Sequence, residues 1–419
     1  MKEHQTTNPS GAKNRSFIIA WIFGLIFYFF EYVIRSSPAV MITELSEHFT
    51  VSALSVAGIL GTYYYTYSIT SLIAGVALDR SGGKLPISFG AITLAIGCLL
   101  FAIPHSLSGD LGRMLQGAGS AFAFTGCIYL ASHGFSSKYI ATAIGLTQCM
   151  GMLGGSMGQF VVGPIIKSGT SIASFWLLLG LTCAITGVLL FIITPKEPEE
   201  NKQAFTINGI LKPYQIVFTN PQSYLSGLLS GLLFAPTTIF AMTWGVAFFQ
   251  QDRSMNYHSA VLLCSLVPLG WVIGCPFLGW VSDLIGKRKP VLICGTVVML
   301  ACFSQLTLLP GAISPYLSMF VFGVASGAAM IPYTMIKEAN PDNVKGSATG
   351  AINFLTFSIT ALIGPVFAHL YGKPILSALD GEAHFKHSGI FIMGIMVLAL
   401  FIGLIIRETG RNKSLKAIK

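Results

Sequence analysis

The chain has 419 residues, of which 53% are hydrophobic and only 10% charged. Soluble domains carry about 25% charged residues, so this composition excludes a typical soluble enzyme, a disordered chain and a secreted disulfide scaffold. The formal charge is nevertheless +9, which suggests a nucleic-acid partner until the basic residues are located relative to the apolar runs.

Residues 1–15 are polar. No small-residue cleavage site follows the first apolar run, so it reads as a retained span rather than a signal peptide. A membrane-crossing helix needs about 20 mostly apolar residues. Twelve runs qualify: 16–42, 54–78, 86–104, 106–132, 139–165, 171–194, 223–249, 258–282, 289–309, 314–337, 344–371 and 387–406. Most are rich in Gly, Ser and Ala, as close helix packing in lipid favours. The short alternating segments of a β-barrel are absent. The predicted class is all-α integral membrane, with a tail (1–15), a six-helix bundle (16–194), a linker (195–222), a second six-helix bundle (223–406) and a tail (407–419). The eight cysteines all fall in apolar runs without a CxxC pair. They read as small buried hydrophobes, and no metal is expected.

Orientation follows from Lys and Arg in the loops. With both ends cytoplasmic, that side carries 19 of them and the other side only four: Lys167, Arg253, Lys373 and Lys386. The net +9 is therefore mainly a topology signal, and no nucleic acid is expected. A repeat supports two like halves. Gly75-Val-Ala-Leu-Asp79-Arg80-Ser-Gly-Gly83-Lys84 follows the second run. Gly279-Trp-Val-Ser-Asp283-Leu-Ile-Gly286-Lys287-Arg288 follows the eighth. Gly163-Pro164 and Gly364-Pro365 form a similar pair in the fifth and eleventh runs. Two parallel six-helix halves around a cavity is a secondary-transporter architecture.

These two segments, with Arg113-x-x-Gln116-Gly117-x-Gly119 and the Gly-rich stretch ending at Gly163-Pro164, resemble the signature motifs of the major facilitator superfamily. The resemblance covers about residues 16 to 406. Glu31-Tyr-Val-Ile-Arg35-Ser-Ser-Pro38, the Tyr63–Tyr67 run and Ile336-Lys337-Glu338-Ala-Asn340-Pro341 resemble its organic-anion symporter branch and the phagosomal nutrient (amino-acid) transporters of intracellular bacteria. It implies transport by alternating access across a bacterial inner membrane by a monomer, driven by a proton gradient without a cofactor. It also implies that runs 1 and 4 line the cavity and that runs 7 and 10 gate it.

Ionisable residues within spans are costly and so are functional suspects. Three stand well inside: Glu31, Arg35 and Arg113. Glu31 and Arg35 share one helix face. At 1.5 Å per residue, Arg35 and Arg113 both lie roughly 10 Å below the outer end of their helices. Two guanidinium groups at one depth suit a carboxylate clamp. Glu31, released from Arg35 by an arriving anion, would take a proton and so couple the two. The bland alternatives are that Arg35 snorkels, that Arg113 only bonds backbone carbonyls, and that Glu31 only pairs with Arg35.

An aromatic set surrounds these charges: Tyr28, Tyr32, Tyr63, Tyr64, Tyr65, Tyr67, Trp244 and Tyr333. Tyr32, Tyr64 and Tyr67 are the expected substrate contacts, and the others are open to a packing role. Asn353 is a further candidate contact. Gln148 and Gln159 read as interhelical hydrogen-bond groups, and His133 and His369 as solvated residues at helix ends. Pro236 and Pro332, with Gly327, are expected to break the seventh and tenth helices. Asp79 and Asp283, with Arg80 and Arg288, read as gating residues. Asp79 is expected at the N-terminus of helix 11 and Asp283 against helix 5, where the helix dipole favours a carboxylate. The expected function is proton-coupled symport of a small anionic or zwitterionic carboxylate solute, an amino acid or organic acid. An exporter of a drug-like compound or siderophore is the alternative. No Ser/His/Asp set, metal-spaced His cluster or phosphate loop appears, so no enzyme is expected.

Overall fold

The computed structural model describes residues 9–135, 140–196, 207–341, 344–372 and 381–410. Among the described residues there is no strand. Twelve long helices follow the predicted runs in order. The first six are α1 (Pro9–Ser36), α2 (Ala53–Ser81), α3 (Lys84–Phe101), α4 (Ser106–Gly134), α5 (Ile140–Phe160) and α6 (Ile172–Ile193). The second six are α7 (Pro221–Gln251), α8 (Tyr257–Ile285), α9 (Lys289–Leu308), α10 (Pro315–Ala339), α11 (Lys345–Gly372) and α12 (Gly381–Ile405). Ten described helices are long and apolar enough to cross a membrane. α2 is not among them, because hydroxyl-bearing residues fill Thr62 to Ser68.

Local chemistry sets many of the ends. Ser52, Ser171, Asn220 and Asn256 accept backbone N–H donors of the first turns of α2, α6, α7 and α8, at 2.8–3.2 Å. Such caps satisfy amides that the helix itself leaves free. Gly82 (φ 74°) and Gly286 (φ 68°) lie just past the ends of α2 and α8. Glycine adopts this backbone without strain. The two glycines hold the same place in the two motif copies and share a positive φ, while ψ differs, 177° at Gly82 and 17° at Gly286.

The even count of helices puts the start of α1, the α2–α3 turn, the linker and the end of α12 on one face, here the terminal face. The two halves meet along α2 on α11 and α5 on α8. α7 is almost wholly buried, whereas α6 turns Leu178, Leu181, Ile185 and Ile192 outward. That outward stripe suits lipid, not water.

Two helices break where proline was expected to break them. Pro236–Trp244 in α7 is a π-helical stretch, and Gly327–Met330 in α10 is a 3-10 turn just before Pro332. Side chains serve the carbonyls of these breaks. Gln159 Nε2 donates to Ala241 O at 2.6 Å and Ser230 Oγ to Ala329 O at 3.0 Å. The polar linker holds a helix the span count overlooked, Ile207–Thr219. Its Ile207, Ile210, Tyr214 and Val217 recur three or four residues apart, an amphipathic spacing too short to register as a span. A short helix, Ile42–Phe49, also follows α1.

Candidate functional site

α1 carries Tyr28, Glu31, Tyr32 and Arg35 toward the middle of the molecule, the adjacent pair Glu31 and Tyr32 lying three or four residues from Tyr28 and from Arg35. Glu31 is fully buried and Arg35 is 2% exposed, which removes the snorkelling alternative. Arg35 Nη2 donates to Glu31 Oε1, and the Tyr63 hydroxyl donates to the same oxygen. Arg35 Nε donates to the Tyr63 hydroxyl at 3.1 Å. The guanidinium carbon lies 4.3 Å from the ring centre of Tyr32, 4.8 Å from Tyr67, 5.1 Å from Phe357 and 5.3 Å from Tyr63. Aromatic faces attract a desolvated cation. Within this box Arg35 Nη1 and Glu31 Oε2 have no hydrogen-bond partner. Buried polar groups without partners are uncommon and invite an explanation.

Arg113 is used differently from the expected clamp. Its Nη1 donates to Ile34 O at 3.0 Å and to Gln116 Oε1 at 2.8 Å, and its Nη2 to Arg35 O at 3.2 Å. These carbonyls belong to the last turn of α1, where a cation is favoured. Gly117 completes the arrangement: a side chain there would collide with the Tyr63 carbonyl. The Arg113-x-x-Gln116-Gly117 motif thus presses α4 onto α2 and caps α1. Tyr63 is held between the two arginines, its ring centre 4.6 Å from the Arg113 guanidinium carbon.

Other predicted contacts distribute around this centre. Tyr67 packs edge-on to Phe357 at 4.4 Å, and Tyr64 stacks on Phe357 at 6.2 Å. Tyr333 donates to Asn353 Oδ1 at 2.6 Å, and Asn353 Nδ2 has no partner. Tyr28 donates to Gln148 Oε1 at 3.3 Å. A cavity of about 270 Å³ toward the far face is lined by Arg35, Arg113, Tyr64, Trp244, Thr360 and His369, among others. A second, of about 590 Å³, opens toward the terminal face and includes Gln148, Asp283, Tyr333, Lys337 and Thr349. The Arg35 box borders the first and Tyr333 the second, with Tyr32, Tyr67 and Phe357 between. Tyr65 is 44% exposed and lines the first cavity.

The gating expectations fare unevenly. The side chain of Asp79 lies outside the described residues. Arg80 beside it is buried. Asp283 was expected against α5, but its carboxylate accepts from Arg288 Nη1 at 2.6 Å and is 70% exposed. Arg288 Nη2 also donates to Glu338 Oε1 at 2.7 Å. This network ties α8 to α10 within one half. The cysteines differ too: Cys294 is exposed and Cys149, Cys275 and Cys302 are half-buried.

The sequence profile described as Major Facilitator Superfamily matches residues 24–365. The chain belongs to that superfamily. It is 25% identical over 365 residues to a hexuronate transporter of Bacillus subtilis, covering 80% of this chain and 83% of that one. It is 21% identical over 277 residues to a chloroplastic ascorbate transporter of Arabidopsis thaliana, covering 60% of this chain and 50% of that one. The nucleoside transporter NupG has a like fold, with TM-score 0.67 at 16% identity, covering 92% and 98% of the two chains. The xylose transporter XylE of E. coli, partially occluded and inward open, gives TM-score 0.70 at 14% identity over 95% and 99%. The chain is thus a multi-pass membrane transporter of small molecules and not an enzyme.

Two members of the site were not among the expected substrate contacts. Tyr63, rather than Tyr64, touches both charges. Its stacking with Tyr67, four residues on, at 5.8 Å is the helical pairing that marks it. Phe357 follows Asn353 by four residues, the only hint that it shares that face.

Proposed function

We propose that the protein imports a small organic acid together with a proton, by alternating access at the Arg35 box. The observation that carries this reading is the buried Glu31–Arg35–Tyr63 set, with one guanidinium nitrogen and one carboxylate oxygen left unpartnered. The substrate carboxylate takes Arg35 Nη1 in a charge-assisted hydrogen bond. Its negative charge weakens the hold of Arg35 on Glu31, and Glu31 takes the proton. A neutralised site then crosses the low-dielectric interior more readily than a charged one. Release of either partner toward the other face restores the internal ion pair.

Tyr32, Tyr64 and Tyr67 provide the apolar walls, and Asn353 Nδ2 offers a donor from the second half. Arg113 contributes positive potential and holds the end of α1, rather than forming half of a clamp. The hexuronate and ascorbate relatives favour an organic acid over an amino acid, and sugar acids are the first substrates to try. The 19-to-4 loop bias favours an inner-membrane orientation with both ends cytoplasmic.

The test is uptake into reconstituted vesicles over a panel of sugar acids, dicarboxylates and amino acids, with and without an imposed proton gradient. Accumulation of an organic acid should require the gradient. Glu31→Gln should abolish gradient-driven accumulation while retaining substrate exchange. Accumulation that ignores the gradient, or that Glu31→Gln leaves pH-dependent, would overturn the coupling.

A further inference from the structure

We infer that the linker helix is a latch that holds the α2–α11 seam shut on the terminal face, with Tyr214 as its bolt. The linker helix, Ile207–Thr219, lies across the point where the two halves meet on that face. Tyr214 is 7% exposed, and its hydroxyl donates to the Leu72 carbonyl of α2 at 2.8 Å. Its seat is a notch made by two glycines from opposite halves. A Cβ added at Gly350 of α11 would lie 2.8 Å from the Tyr214 hydroxyl oxygen, and one at Gly75 of α2 would lie 3.3 Å from it. The same added atom at Gly350 would be 3.4 Å from Ser71 O, so α2 and α11 approach closely beside the phenol. Gly75 opens the first motif copy, and the need for this notch gives that glycine a physical reason.

Among the described residues, the end of the latch is anchored on the second half. Phe218, one turn after Tyr214, packs against Phe354 of α11 at 6.3 Å and Tyr224 of α7 at 5.7 Å. Asn220 Nδ2 donates to Ala339 O at 2.9 Å, and Asn340 Nδ2 donates to Ser223 Oγ at 2.9 Å. These partners all belong to the second half. The Tyr214 hydroxyl reaches across to α2, in the first half. Separation of α2 from α11 on the terminal face therefore breaks the Leu72 hydrogen bond and empties the notch. The linker then acts as more than a tether: its position biases which face is open.

The latch does not depend on which solute is carried, so its test uses none. Ser71 is fully buried in the seam. Ser71→Cys would be placed in full-length protein whose eight native cysteines have been replaced and which still folds, and its maleimide labelling rate measured in detergent. Tyr214→Ala should speed labelling about tenfold or more, and Tyr214→Phe, which loses only the hydrogen bond, about threefold. Elution as a single monodisperse species confirms that the fold is kept. If Tyr214→Ala does not fold, Gly350→Ala makes the same test by crowding the phenol from its seat, with the same acceleration expected. Labelling that is unchanged or slower in the folded variants overturns the latch.

Discussion

At the scale of single residues, the buried charges dominate the energetics. An ion pair in a low-dielectric interior persists only when both members are present, and removing one partner alone costs about 3–5 kcal/mol. Arg35→Ala strands the Glu31 carboxylate beside Tyr63. Purified Arg35→Ala should therefore melt well below wild type, while Arg35→Ala combined with Glu31→Gln should recover most of the loss. A double variant no more stable than Arg35→Ala would mean that the pair is not coupled. Arg113 shows the opposite economy. Its Nη1 and Nη2 bond the α1 terminus and Gln116, so its charge is held by backbone carbonyls and an amide rather than by a carboxylate, and its Nε has no partner.

At the scale of elements, helix ends carry much of the specificity. The end of α12 is fastened to the α8–α9 turn by Glu408, whose carboxylate accepts from the backbone N–H of Arg288 at 2.7 Å, Lys289 at 3.0 Å, and Thr409 and Gly410 at 3.0 Å. Burial pushes this carboxyl up, but the four backbone donors outweigh burial and hold it below the usual carboxylate range. A depressed folded value means that the charged group stabilises the fold above the unfolded carboxylate pKa of about 4.3. That contribution fades as the pH falls through the lower folded value. Glu408→Gln should lower the melting temperature at pH 7, with the gap narrowing below pH of about 4. An equal gap at both pH values would refute the assignment. The broken helices α7 and α10 follow the same logic, since Gln159 and Ser230 supply the bonds that the breaks remove.

At the scale of the whole molecule, the two halves are tied at the two faces by different means. On the terminal face Tyr214 bridges α2 and α11. On the far face the Tyr257 hydroxyl, at the start of α8, donates to the Val40 carbonyl just after α1 at 2.6 Å. The two ties span the same two halves at opposite ends, so loosening one favours opening on its own face. Tyr257→Phe should therefore slow labelling of Ser71→Cys about threefold, as loss of one hydrogen bond allows. It should also offset part of the acceleration caused by Tyr214→Ala. Faster labelling in Tyr257→Phe would show that the two ties do not oppose each other.

The sequence alone determined the spans, the six-plus-six division, the broken helices and the shared face of Glu31 and Arg35. Each rests on a property local to one stretch of chain: apolar length, a proline, or a spacing of four. The linker helix escaped because its amphipathic period is too short to count as a span. Only the tertiary structure decided which consecutive tyrosine meets the charges, since the rotation of α2 is fixed by its close approach to α4 at Gly117. It alone brought Phe357 of the second half over Arg35, turned Arg113 onto the carbonyls of α1, and paired Asp283 with Arg288 rather than with α5. A helix sequence specifies its own periodicity, but the phase of that helix against its neighbours comes from side chains elsewhere in the chain.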